Sequence, residues 1–288
     1  MNKKMSRRLF LKSFLSFTAA GFFCSIGGYS YARYLEPKLL DIQELELISP
    51  KIPTGFNGMK IVQFSDTHLS EYYSISQLAE IKDTINGFTP DLVVFTGDLM
   101  DDPLHYSRTE EIIPHLEDIK APLGKYAVYG NHDHGGYGSD IYAEILKRSG
   151  FKVLKNESEK VSLLDGSYIN IAGLDDLILG RPDYQKTVRS FTPNTYNILI
   201  AHEPDAWIQA KKLHIDLQLS GHSHGGQIQL PLYGPLITPP YADKYTEGLY
   251  EFGSKKLYVN RGLGTTRLPF RFLSVPELTV FTLKGVST

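Results

Sequence analysis

Five short motifs follow one another along the chain: Asp66-Thr67-His68, Gly97-Asp98, Gly130-Asn131-His132-Asp133, Ala201-His202 and Gly221-His222-Ser223-His224. Their carboxylates, amide oxygen and imidazoles are donors suited to divalent cations, and the set is large enough to hold two. Singly each motif is weak. Asp66-Thr67-His68 and Gly97-Asp98 are more often turns or helix caps, Gly130-Asn131 is a common turn dipeptide, and a lone His202 or His222 is more often a satisfied structural histidine. The signal is their joint occurrence.

Such chemistry needs a scaffold that brings these positions together, and each motif sits just after an apolar run that reads as a strand. Residues 60–65 read as a strand, 74–87 as an amphipathic helix behind a Ser74 cap, and 91–96 as a strand apolar enough to be covered on both faces. A helix over 109–119 precedes a third strand starting at 127–129. A helix over 141–148 ends at Gly150, and 161–164 and 168–171 form a hairpin about Asp165-Gly166. A second alternating set has strands at 196–201 and 215–219 around a helix near 206–211. The tail adds strands at 227–230, 248–252, 256–259 and 278–283, and Leu45-Glu46-Leu47-Ile48 alternates as an edge strand would. The class is α/β with mixed α+β character. In such sheets the crevice lies beyond the carboxyl ends of the strands, where Asp66, Asp98 and Asn131 fall.

The ordered set resembles the calcineurin-like metallophosphoesterases from residue 59 to about 282, and GHSHGGQIQLP (221–231) with NRGLG (260–264) is similar to a bacterial exported branch of that family. The resemblance implies two facing mixed β-sheets flanked by helices and a dinuclear site. It assigns one metal to Asp66, His68, Asp98 and His224 and the other to Asp98, Asn131, His202 and His222, with Asp98 and a hydroxide as bridges. Manganese, iron or zinc would serve. His132 becomes the general acid at the leaving group and Asp133 the residue that orients its imidazole, although the family often has glutamate there. The implied function is a metal-dependent phosphoesterase, with a phosphodiester favoured. The alternatives are a phosphomonoesterase and a non-catalytic metal-binding scaffold of the same fold. Scaffolds tend to lose ligands or the acid histidine, whereas this chain keeps the whole set.

Several residues outside the ligand set are open in the sequence. Arg261 reads either as a contact for a substrate phosphate or as a solvated arginine. Tyr72, Tyr73, Tyr233 and Tyr241 are candidates to line a lipid or sugar cleft. His134 with Gly135, Gly136 and Gly138 reads as a glycine loop, and His105, His115 and His214 as structural or exposed histidines.

The 288 residues, 42% hydrophobic, suffice for one domain, and splitting the chain between Asp66 and His224 would separate parts of one site. The expected division is a signal peptide over 1–32, a lead-in over 33–58 and the metallophosphoesterase domain over 59–288. Lys3, Lys4, Arg7, Arg8 and Lys12 precede an apolar run without acidic residues, and Ser6-Arg7-Arg8-Leu9-Phe10-Leu11-Lys12 matches a twin-arginine signal. Ser30-Tyr31-Ala32 suits cleavage after Ala32, and an uncleaved anchor is the alternative. Cys24, the only cysteine, lies in this leader, so a cleaved chain could form no disulfide.

Cleavage changes the balance from 30 basic and 32 acidic side chains to 25 and 32, a formal charge of minus seven, which argues against a dedicated nucleic-acid partner. The expected partners are a phosphate-ester substrate from the envelope, such as a lipid, nucleotide-sugar or wall polymer, and the twin-arginine translocase. The expected location is secreted or bound to the cell wall or envelope.

Overall fold

Strands that are apolar on both faces demand a layered architecture. The computed structural model describes residues 25–134 and 139–286, so most of the expected leader, and the glycines Gly135, Gly136 and Gly138, lie outside the described residues. Among the described residues one six-stranded sheet contains β1 (Asp41–Ser49), β2 (Lys60–Phe64), β3 (Leu92–Phe95), β4 (Lys125–Ala127), β5 (Phe151–Val153) and the late β14 (Glu277–Gly285), in the spatial order β1-β14-β2-β3-β4-β5. A second contains β6 (Glu157–Ser162), β7 (Tyr168–Gly173), β8 (Asn197–Ile200), β9 (Leu217–Ser220), β12 (Gly248–Phe252) and β13 (Lys255–Val259), ordered β12-β13-β9-β8-β7-β6. A small hairpin, β10 (Gln229–Leu230) and β11 (Gly234–Pro235), stands apart from both.

Side-chain alternation explains the layers. Ile61, Leu92 and Val94 of the first sheet share a buried core with Ile169, Ile198, Ile200, Leu217 and Leu219 of the second. The intervening Val62, Phe64, Val93 and Phe95 pack instead with residues of α1 (Ile75–Gly87), α2 (Thr109–Glu117) and α4 (Ser139–Arg148). On the far side, Leu199, Ala201 and Val259 pack with Trp207 and Ala210 of the short α6 (Trp207–Ala210). Short helices among the described residues include α3 (Asn131–His134), inside the third motif, and α5 (Tyr184–Thr187).

Helix α1 starts at a full capping box. The Gln77 N–H donates to Ser74 Oγ at 3.3 Å, and the Ser74 N–H donates to Gln77 Oε1 at 3.0 Å. Such a cap contributes about 1 kcal/mol and fixes the register that buries Ile75, Leu78, Ile81 and Ile85.

Several boundaries differ from the sequence reading, two of them in the first sheet. The third strand ends at Ala127 rather than beginning there, because Val128 and Tyr129 leave the ladder to carry the chain to Gly130. The edge strand is longer than its alternating core: β1 pairs in parallel with β14 from Asp41 to Ser49 and buries Leu47. Residues 25–30 are helical and lead into a π-helical turn, Tyr31–Leu35. Ala32 is buried in that turn and its carbonyl accepts from the Arg271 N–H at 2.9 Å, so cleavage after Ala32 requires the turn to undock.

Candidate metal centre

Parallel pairing places the carboxyl ends of β2 and β3 side by side, and those of β8 and β9 likewise. β2 therefore releases Ser65-Asp66 beside Thr96-Gly97-Asp98 from β3, and Ala201-His202 emerges beside Gly221-His222. Backbone bonds stitch the segments together: the Asp66 N–H donates to the Gly97 carbonyl at 2.9 Å, and the Gly221 N–H to the His202 carbonyl at 3.0 Å.

The chain turns sharply at these points. Asp66, His68, Asp98, His222 and His224 all have left-handed backbones, with φ of 49°, 42°, 59°, 67° and 51°. Side-chain-bearing residues adopt this region at a cost of order 1 kcal/mol each, least for Asp and Asn, and such strain persists where the surroundings enforce it. Two glycines allow the close approach. A Cβ on Gly130 would lie 2.1 Å from Asp98 Oδ1, and one on Gly221 would lie 2.0 Å from Ser65 Oγ and 2.3 Å from Asp66 Oδ2.

The donors converge in two groups about Asp98. His224 Nε2 lies 3.1 Å from His68 Nε2 and 3.5 Å from Asp66 Oδ1, while His68 Nε2 is 3.5 Å from Asp98 Oδ2. On the other side His202 Nε2 is 3.2 Å from the same Asp98 Oδ2 and 3.1 Å from His222 Nδ1. Each of Asp66-His68-His224 and Asp98-His202-His222 has ligand atoms close enough to share one cation, and His68, Asp98 and His132 form a third such group between them. Asn131 Oδ1 is buried without a hydrogen-bond partner, as an acceptor reserved for a cation would be. Donor chemistry, convergence and this orphaned oxygen fit a pair of divalent ions.

The far nitrogens fix the rings. His68 Nδ1 meets Asp101 Oδ1 at 3.1 Å, His202 Nδ1 the Thr96 carbonyl at 2.7 Å, and His222 Nε2 the Pro240 carbonyl at 2.9 Å. These contacts aim the opposite nitrogens at the centre. Burial lowers the pKa of His222 to about 3, reinforced by His202, and burial with the nearby His68 holds His224 well below the ordinary value. Both therefore stand neutral, as ligands must. Burial opposes charge on His202 as well, yet Asp98 and Asp66 override it and raise its pKa well above normal. Against its own burial, Asp98 is held well below the ordinary range by His202 and His132.

Four residues that the motifs did not flag support this arrangement. Gln63 Nε2 donates to Thr96 Oγ1 at 3.3 Å and, across the sheets, to the Ser220 carbonyl at 2.9 Å. Thr96 passes the chain on to Ser65 Oγ at 2.6 Å, and the Ser65 hydroxyl donates to Asp66. Arg271, wholly buried, donates to the carbonyls of Arg261, Gly262, Gly264 and Ser274 and places its guanidinium 3.3 Å from His224 Nδ1.

One expected role needs correction. Asp133 does not orient His132: it accepts the N–H groups of Asp98 at 2.6 Å, Leu99 at 2.9 Å and Gly130 at 3.0 Å. The first turn of α3 swings its side chain back toward β3. The His132 ring is held instead by the Asp101 carbonyl, 2.6 Å from Nδ1, which leaves Nε2 toward the centre. Burial and the neighbouring Asp98 push Asp133 up to about 8, against three N–H donors that favour the carboxylate.

Arg261 is likewise engaged elsewhere, with Glu277 at 2.7 Å and Asp41 at 2.5 Å. Tyr73 is buried in the helix-side core, and none of Tyr72, Tyr73, Tyr233 and Tyr241 lines the cavity at the centre. His134 binds Asp175 at 3.1 Å.

A cavity of about 400 Å³ opens over the donors. His68, Asp98, Asn131, His132, His222 and His224 line its base, and Ile178, Ile228, Leu236, Ile237 and Leu268 give it an apolar wall with Arg267 alongside. Ile178 is presented by a turn whose N–H groups at Ile178 and Gly180 donate to Asp176 at 3.1 and 3.0 Å. The sequence alternation did not reveal this wall, because most of its residues come from irregular loops.

Comparison with known proteins agrees with the motif order. A model of the calcineurin-like phosphoesterase domain matches residues 59–226. The chain is 54% identical over 285 residues to metallophosphoesterase YkuE of Bacillus subtilis, covering 99% of this chain and 100% of that protein. It is 30% identical over 305 residues to UDP-2,3-diacylglucosamine pyrophosphatase LpxG of Chlamydia muridarum, covering 87% and 91% of the two chains. It is also 30% identical over 283 residues to phosphodiesterase YaeI of Escherichia coli, with 97% and 99% covered.

Proposed function

Because the chain belongs to the calcineurin-like phosphoesterase family and so hydrolyses phosphate esters, we propose that it cleaves a phosphodiester or pyrophosphate bond in a lipid-bearing envelope substrate at a two-metal centre. One observation carries this reading: a single oxygen, Asp98 Oδ2, lies between the two donor groups, 3.5 Å from His68 Nε2 and 3.2 Å from His202 Nε2. Asp66, His68, Asp98 and His224 would hold one cation, and Asp98, Asn131, His202 and His222 the other. Bound there, divalent cations supply Lewis acidity toward phosphate oxygens and lower the pKa of water toward neutrality.

The chain's own groups do the rest. His132, fixed through Nδ1 by the Asp101 carbonyl, keeps Nε2 for delivering a proton to the departing oxygen. Burial resists a charge on this ring, but Asp98 and the Asp101 carbonyl together raise its pKa and favour the proton-carrying form. The apolar wall would take the lipid portion, a reading supported by the diacylglucosamine compound in the name of the Chlamydia relative.

Metal analysis of protein isolated through its native route, combined with a substrate panel, tests the proposal. About two equivalents of manganese, iron or zinc, and faster cleavage of aryl diesters and lipid pyrophosphates than of aryl monoesters, are expected. Fewer than two equivalents whatever metal is supplied, or a preference for monoesters, would overturn it. Export by the twin-arginine route belongs to the same proposal, supported by Arg7 and Arg8 ahead of the apolar run. Replacing both with lysine should retain the protein in the cytoplasm; undiminished export would refute that route.

A further inference from the structure

Between His224 and Asp243 the chain carries no charged side chain. Rather than bury its apolar residues, this stretch displays them: Leu232, Ile237 and Tyr233 are 110%, 79% and 76% exposed, at and beside the tip of the β10–β11 hairpin. Solvent contact on this scale in a contiguous uncharged loop marks a surface that meets something apolar.

The surface continues toward the N-terminal segment. Gln229 and Gln227 exchange backbone hydrogen bonds with Phe272, each 2.8 Å long. The Phe270 and Phe272 rings meet Tyr29 and Tyr31 edge-on, at centroid distances of 5.3 and 6.3 Å. Ile26, Tyr29, Leu35 and Leu268 remain exposed along this line. Residues 25–31 are the end of an uncharged stretch that begins after Lys12 and stops before Arg33, behind the basic cluster Lys3, Lys4, Arg7, Arg8 and Lys12. About 20 apolar residues cross a bilayer, and basic residues beside such a run suit anionic headgroups.

We infer that, in the chain that keeps its leader, the hairpin tip, Leu268 and the exposed side of residues 26–35 form one face that docks on a lipid bilayer, with the cavity opening at the membrane surface. A bilayer fits better than a protein partner because the patch is aliphatic and aromatic, lacks charge over its whole hairpin, and is continuous with the leader-proximal chain. Tyrosines at its margin, and the exposed guanidinium of Arg267 beside Leu268, suit the headgroup layer. Leu236, Ile237 and Leu268 belong both to this face and to the cavity wall, so an acyl chain could pass from membrane to cavity over apolar side chains. The inference deepens the lipid-substrate reading but does not need it, since its test measures depth rather than turnover.

The full chain carrying Tyr233→Trp would be reconstituted into phosphatidylglycerol–phosphatidylethanolamine vesicles with brominated acyl chains. Its reference is Leu164→Trp, at a position more exposed than Tyr233 but on the β6–β7 turn, at the end of the second sheet away from the donors. Both proteins keep the same leader, and the native Trp207 is buried and common to both. Insertion of the hairpin to a depth of roughly 5–10 Å predicts a blue-shifted emission and quenching about twofold or more stronger in Tyr233→Trp protein. Adding Leu232→Asp should reduce that quenching. Equal quenching at the two positions would overturn the inference. So would a concentration-dependent blue shift of Tyr233→Trp protein without vesicles, which would assign the face to a second copy of the chain.

Discussion

The base of the cavity and its wall are built in opposite ways. At the base, strained backbone, close glycine contacts and buried hydrogen bonds fix each donor, from Gln63 through Thr96 and Ser65 to Asp66. At the wall, Leu236, Ile237 and Leu268 extend from loops and stay 48%, 79% and 57% exposed. Charge stabilisation needs donors placed before the substrate arrives, because reorganising them during reaction would consume the advantage. Apolar contact has no direction and tolerates adjustment. The contrast predicts that changes at the base act on chemistry for every substrate, whereas changes at the wall act selectively on substrates with a long apolar portion.

The sharpest way to break that contrast is Asp98→Asn. One carboxylate serves both donor groups, so its loss should leave less than two equivalents of metal and lower turnover about 1,000-fold or more on every ester. Elemental analysis beside steady-state assays checks both, and near-normal rates with full metal would show that the shared oxygen is dispensable.

His132→Ala should be milder. Metal content should hold while turnover falls about a hundredfold, most for poor leaving groups. An unchanged rate on an alkyl ester would remove the acid role.

Asp133→Ala moves the test from chemistry to architecture. It leaves three buried N–H groups, at Asp98, Leu99 and Gly130, without their acceptor, and should cost about 1–3 kcal/mol of stability. Denaturant unfolding checks this. A variant as stable as the parent but slow in turnover would return Asp133 to the role that sequence order first suggested.

That reassignment shows what sequence could and could not convey. The strands were legible because burial on both faces makes β3 continuously apolar and β8 apolar after Asn197, and α1 because Ser74 and Gln77 form a recognisable cap. The clustering of the Asp and His candidate donors was legible because residue type and order sufficed. Adjacency misled at Asp133, since a helical turn sends neighbouring side chains in different directions. The hold of Asp101 on His132 was hidden because it is made by a backbone carbonyl, which any residue could supply. Arg271 was hidden because its partners are carbonyls, which leave no mark in the sequence. The wall fell to the same difficulty, for its residues follow no helical or strand period.

The smallest expected effect lies at that wall and decides whether base and wall are separate devices. Leu268→Ser removes an apolar side chain from the cavity margin without touching a donor. Burying a leucine-sized side chain against a ligand contributes about 1.5–3 kcal/mol when complete, and a residue that stays half-exposed gives the lower part of that range. A free-energy loss near 1.4 kcal/mol corresponds to about a tenfold change in an equilibrium constant. The KM for a long-chain phosphodiester should therefore rise about tenfold in the variant, with kcat nearly constant, since the contact exists equally in ground and transition states. A short aryl diester, too small to reach Leu268, should change about twofold or less. A matched loss on both substrates would mean that the wall also shapes the donors, and the division between a rigid base and an adaptable wall would fail.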